Sequence, residues 1–205
     1  MRRVTLECPV LGAEELSDWA RSGTNPGLGI DWDAPTNAHL TVLHLGRPAE
    51  LHAEVTKARQ SSAELPEQEF YTALLRWALQ SCNLLKHAAR VHVDSLRTLG
   101  ESPPYALAAI ALDLPPELAD LHSRLLDSLE DFAELLFDVP DGSALVESSK
   151  ALGFSARSWL PHITVGWSAR HLHLQVSPLE VRLGPLEGRH LAQLSGKALP
   201  FDAYA

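Results

Sequence analysis

AHLTVLHLG, Ala38 to Gly46, opens on a histidine and a threonine two residues apart and continues as an apolar run. The pattern returns in PHITVGW, Pro161 to Trp167, as His162-Ile163-Thr164. Apolar runs of this length, closed by Gly46-Arg47-Pro48 and preceded by Pro161, read as β-strands. On a strand, residues i and i+2 share a face. Each copy therefore sets an imidazole beside a hydroxyl. Two such pairs facing one another could grip a phosphate from both sides. Imidazoles exchange protons near neutral pH, so the arrangement suits acid–base chemistry without a metal.

Outward from these strands the chain alternates between helix and strand. Arg3 to Glu7 reads as a strand and Ala13 to Arg21 as an amphipathic helix. Ser22 to Thr36, rich in Gly, Pro, Asn and Asp, reads as loop. Ala49 to Ser61 reads as a helix. A second helix starts at Leu65-Pro66-Glu67, with apolar residues from Phe70 to Ala89 at helical spacing. Val91 to Leu96 and Tyr105 to Leu114 read as strands on either side of a turn at Glu101 to Pro104. Pro115-Pro116 opens a long helix to about Phe137, with Leu118, Leu121, Leu125, Leu129 and Phe132 as its stripe. Val139 to Trp159 reads as loop with a short helix. Leu172 to Val176, Val181 to Leu183 and Arg189 to Leu194 are candidate closing strands around turns at Gly184 and Gly188. The order predicts an α+β fold, with helices packed on antiparallel-rich sheet.

Composition bounds the partners. The formal net charge is -9, and no basic run suited to a long duplex is present; a small phosphate ester or a terminus is the better expectation. No stretch of about 18 apolar residues spans a membrane, and no signal peptide is read after Met1-Arg2-Arg3. Cys8 and Cys82 have neither metal nor disulfide spacing. A reducing cytoplasm is the expected setting.

The paired HxT motifs, each on a predicted strand, resemble those of the two-histidine phosphoesterase superfamily. This group includes the 2′-5′ RNA ligase-like proteins and cyclic nucleotide phosphodiesterases. AHLTVLHLG is similar to its first motif, with the Leu-Gly that ends the strand, and LPHITVGW to its second, with the proline before the histidine. The resemblance implies one bilobal domain over 1–205, with helices packed outside antiparallel-rich sheets that line a central cleft, and a helical insertion at 65–89, because the two histidines are 123 positions apart. It implies His39 and His162 as catalytic acid and base, in an order the sequence leaves open, with Thr41 and Thr164 on the phosphate oxygens. No cofactor and no metal are implied. The expected reaction is hydrolysis, or reversible transfer, at a 2′,3′-cyclic phosphate or 2′-5′ linkage of a nucleotide or RNA end. A binding module without turnover and an esterase for a non-nucleotide phosphodiester are the alternatives.

Some relatives carry a basic residue soon after the second HxT, where this chain has Trp167. Arg157 and Arg170 are the nearest candidates for the phosphate charge. Trp159, in the run entering the second motif, is the leading candidate to stack a base, ahead of Trp32 and Trp167. Strand alternation assigns His44 to the face opposite His39. His171 and His173 form an HxH with no carboxylate or cysteine at ligand spacing, and read as a solvated edge. Oligomeric state is left open.

Overall fold

A computed structural model of the protein describes residues 2–152 and 159–195. The elements in chain order are β1 (Val4–Leu11), α1 (Ala13–Ser22), β2 (Asp31–Trp32), β3 (His39–Gly46), α2 (Pro48–Ala58), α3 (Glu67–Ser81), β4 (Ala89–Leu99), β5 (Tyr105–Leu112), α4 (Pro116–Phe137), α5 (Gly142–Ser148), β6 (His162–Ser168), β7 (His173–Leu183) and β8 (Glu187–Arg189). This is an α+β fold built on one antiparallel sheet.

Several elements follow from local chemistry. Gly46 ends β3 at φ 66°, where a side chain is strained. Pro48 then starts α2 at a position where its missing N–H costs nothing. Pro116 does the same for α4, whose leucine stripe from Leu118 to Leu129 is buried. Asp141 caps α5 by accepting from the Ala144 N–H at 2.8 Å.

Other stretches depart from the sequence reading. The 22–36 loop holds β2, paired to β6 through Asp31↔Trp167 and Trp32↔Gly166. The helix expected to reach Ala89 ends at Ser81, continues as a 3-10 turn over Cys82–Leu84, and leaves Ala89 to begin β4. Its Phe70, Leu74 and Trp77 are buried, and the Trp77 indole N–H donates to Ser128 of α4, so α3 is a packed helix. Leu172–Val176 and Val181–Leu183 belong to one strand, β7. Its pairing with β4 skips from Leu179 to Gln175, so Pro178 sits in a bulge where no ladder N–H is needed. β8 stops at Arg189, and Leu191–Leu194 is a 3-10 turn rather than a strand.

Six strands close into a ring, in the order β6, β3, β1, β7, β4, β5 and back to β6, with β2 and β8 added at its margin. The ring has two narrow seams. One is β1–β7, joined at Val10↔Leu183 and Leu11↔Arg182. The other is β3–β6, joined at Leu40↔Ile163. Leu40 and Ile163 are fully buried, each contributing about 1.5–3 kcal/mol by leaving water. Among the described residues no helix is long and apolar enough to cross a membrane.

Candidate active site

The rung Leu40↔Ile163 fixes the relation between the two motifs. In an antiparallel pair it sets His39 across from Thr164 and Thr41 across from His162. With Leu40 and Ile163 turned into the core, all four polar residues lie on the opposite face. Each of the four is half-buried. Directly opposed side chains have Cβ atoms about 4.5–5.5 Å apart, so the structure brings both HxT pairs into one patch.

Two bulges enlarge that face. β1 pairs Leu6 with Leu43 but Glu7 with Thr41, which leaves Val42 as an extra residue. β5 pairs Leu107 with Gly166 but Ala108 with Thr164, which leaves Val165 extra. A bulge residue reverses the alternation beyond it. His44, opposite Thr5, therefore joins His39 and Thr41, correcting the opposite-face expectation. Trp167, opposite Ala106, joins His162 and Thr164 in the same way. His44 and Trp167 occupy equivalent places, five residues after each motif histidine. Trp167 is 41% exposed. Burial first, then Arg3, His162 and His39, push the His44 imidazole down from 6.5 to about 4.

The two catalytic candidates are held alike. His39 Nδ1 lies 2.6 Å from the Asn37 carbonyl, and His162 Nδ1 lies 2.7 Å from the Leu160 carbonyl. A carbonyl only accepts, so each Nδ1 carries a proton and each ring turns its Nε2 away from its own backbone partner. Burial, with a smaller push from His39, lowers the His162 pKa below its ordinary value, against the opposing pull of the Leu160 carbonyl.

Their surroundings differ. Glu7, on β1 opposite Thr41, is buried. Its carboxylate accepts from the Thr5 hydroxyl at 2.9 Å, lies 3.4 Å from His39 Nε2, and meets Arg189 Nη1 at 3.3 Å. Arg189 Nη1 is also 3.1 Å from His39 Nδ1. Since Nδ1 gives its proton to Asn37, that last contact is proximity between two donors. On the other side, Ala108 stands opposite Thr164 and Ile110 opposite His162, and neither bears charge. Glu7 and Arg189 were missed from sequence. A lone carboxylate inside the apolar VTLECPVL run was the one available signal.

Trp159 donates its indole N–H to the Thr41 carbonyl at 3.0 Å and stacks on His122, with ring centres 5.0 Å apart. One ring face is thus taken, and Trp159 braces the Thr41 backbone. Arg157 lies outside the described residues. Arg170 is exposed in the turn beyond β6, where its backbone exchanges hydrogen bonds with the Ser168 hydroxyl. His171 packs on Tyr105, with ring centres 4.0 Å apart. Burial raises Cys8 to about 12 and Cys82 to about 11, which keeps both thiols protonated and poor nucleophiles. Among the described residues no group of three or more His, Cys, Asp or Glu is placed to hold a metal ion.

No family model matches the chain, and no curated protein matches it significantly in sequence. Solved structures do. TT0787 of Thermus thermophilus aligns with TM-score 0.54 at 18% identity, over 91% of this chain and 86% of that one. A crystal structure of a phosphoesterase aligns with TM-score 0.50 at 14% identity, over 92% of this chain and 97% of that one. The chain shares its α+β fold with both. A shared fold does not carry an activity with it, so the chemistry of this chain rests on its own residues.

Proposed function

We propose that the protein is a metal-independent phosphoesterase. Its substrate is a 2′,3′-cyclic phosphate or 2′-5′ phosphodiester of a nucleotide or RNA end. The observation that supports this most directly is the Leu40↔Ile163 rung, which sets two imidazoles and two hydroxyls on one solvent-facing patch. In this reading 1–205 form one bilobal domain, hinged at the two narrow seams, with 65–89 as its insertion.

The asymmetry around the histidines divides their roles. His162, held neutral by burial, takes a proton from water as the water oxygen attacks phosphorus. A charged His39 has the Glu7 carboxylate as counterion, which a charged His162 lacks among the described residues. His39 gives its proton to the departing ribose oxygen as the P–O bond breaks. Thr41 and Thr164 donate to the non-bridging oxygens as charge builds on them. Solvent exchange then removes the proton gained by His162 and restores the one lost by His39. Trp167, exposed on the same face, offers a base a stacking surface, which favours a nucleotide over a plain phosphodiester.

His39→Ala and His162→Ala, each checked for folding by circular dichroism, should lose about 10²–10⁴ in turnover of a nucleoside 2′,3′-cyclic phosphate. EDTA should leave the wild type unchanged. Full turnover in either variant, or loss on chelation with recovery on added metal, would refute the mechanism. Trp167 in place of a basic residue also permits a binding module, identified by tight nucleotide binding with no turnover across cyclic phosphates and 2′-5′ dinucleotides.

A further inference from the structure

The phosphoryl group expected between the histidines is an anion, and the chain as a whole is acidic, with formal net charge -9. The site needs a local cation, and neither sequence candidate provides one among the described residues. Arg170 lies past the far end of β6, beyond Ser168, and Arg157 is not among the described residues.

Arg189 is placed differently. β8 pairs with β1 so that Arg189 stands opposite Thr5. Thr5, Glu7 and Pro9 alternate along β1 on the face that Thr41 and His39 share on β3. Arg189 is therefore on the histidine face, 182 residues from Glu7 in sequence but 3.3 Å from its Oε1. The Glu7 side chain is 11% exposed and that of Arg189 36% exposed, so the buried carboxylate anchors a guanidinium whose outer part reaches solvent. A guanidinium carries five N–H donors in a rigid fork, and Glu7 engages one nitrogen. Among the described residues no other carboxylate or carbonyl takes the remaining donors, which can meet phosphate oxygens, the pairing for which arginine geometry is suited. Glu7 also receives the Thr5 hydroxyl, which fixes the carboxylate and with it the guanidinium.

We propose that Arg189 is the phosphate-binding cation of this site, with Glu7 as the positioning residue that holds it beside His39. This rests on the phosphoesterase reading for the location of the phosphate, and extends it by assigning a residue that strand topology alone brings into place.

The test compares the wild type with Arg189→Gln, Arg189→Lys and, as a distant control, Arg90→Gln, whose guanidinium pairs with Glu180 on the surface. Inorganic phosphate and a nucleoside 3′-monophosphate are titrated while the histidine ring resonances are followed by NMR. KM and kcat for a cyclic phosphate are measured in parallel. Arg189→Gln should weaken both ligands roughly 10- to 100-fold and raise KM by a similar factor. Arg189→Lys should recover part of the loss, and Arg90→Gln should bind as the wild type does. Because Arg189→Gln leaves Glu7 without its cation, Glu7→Gln combined with Arg189→Gln serves as a second variant with no unpaired carboxylate. It should show the same weakening. Wild-type affinity and KM in both Gln variants would overturn the assignment, as would the absence of any phosphate response at His39 and His162 in the wild type. Phosphate binding that depends on Arg189 without turnover of any cyclic phosphate would retain the assignment and refute the enzymatic reading. Turnover indifferent to Arg189 would do the reverse.

Discussion

His44 makes acid unfolding of this protein separable into parts. Its Nδ1 is buried and has no hydrogen-bond partner among the described residues, and burial pushes its pKa down from 6.5 to about 4. Three cationic or titratable groups act on it: Arg3 just before β1, His39 on its own strand and His162 on β6. The folded-state value is depressed, so the folded protein refuses a proton that the unfolded chain accepts. At pH 7.5 both states leave His44 neutral and it contributes nothing to pH dependence. As pH falls below 6.5 the unfolded state gains protons and stability drops, levelling near pH 4 where the folded state begins to protonate. At pH 4.5 the accumulated loss is about 2.5 kcal/mol. His44→Leu removes the titration and the orphaned nitrogen together. Urea unfolding of both proteins at pH 7.5 and 4.5 gives a difference of differences, which cancels the contributions of His122 and His162. The variant should lose about 2–3 kcal/mol less than the wild type across that interval. Equal losses would show that His44 is hydrated or partnered in the fold, and would also remove the bulge-based argument for its position.

Three further outcomes follow. The acid limb of kcat/KM should lie below pH 6.5, because burial keeps His162 neutral to lower pH than a free imidazole; an acid limb above 6.5 would contradict its role as base. Gly46→Ala should destabilise the fold by about 2–4 kcal/mol, read as a lower urea midpoint, since φ is 66° and a Cβ would collide with the Ala151 carbonyl. An unchanged midpoint would refute that packing. Trp167→Ala should raise KM for a nucleotide substrate by a factor corresponding to about 1–3 kcal/mol while leaving inorganic phosphate affinity intact. An unchanged KM would refute the stacking role.

The two motif strands and the helices α1 and α4 were legible because their determinants are local. HxT at the head of an apolar run, Pro116 in a first helical turn and a leucine stripe each carry their own signal. The extra residues Val42 and Val165 carry none, since neither is itself a glycine or a proline. Simple alternation therefore assigns His44 to the wrong face, and no local signal ranks Trp167 above Trp159 as the stacking candidate. The apolar spacing from Phe70 onward continues past Ser81, and nothing in that pattern shows that Ala89 pairs with Leu183 instead. Leu172–Val176 and Val181–Leu183 read as two strands rather than one because the bulge that accommodates Pro178 is a property of the pairing, not of the strand. The Glu7–Arg189 pair depends on β8 returning to β1 near the end of the described chain, a long-range pairing that composition and periodicity do not encode.

The single rung between β3 and β6 also sets how the protein should respond mechanically to its ligand. Elsewhere around the ring β4 is stitched to β5 and β7 along most of its length, whereas here one leucine–isoleucine rung joins the two strands that bear His39 and His162. An anion clasped by Thr41 on one strand and Thr164 on the other would act as a rivet across that weak join. Occupancy should slow amide exchange at the join more than at either well-stitched flank, so that a bound anion would lend the join stiffness that the strands themselves do not supply.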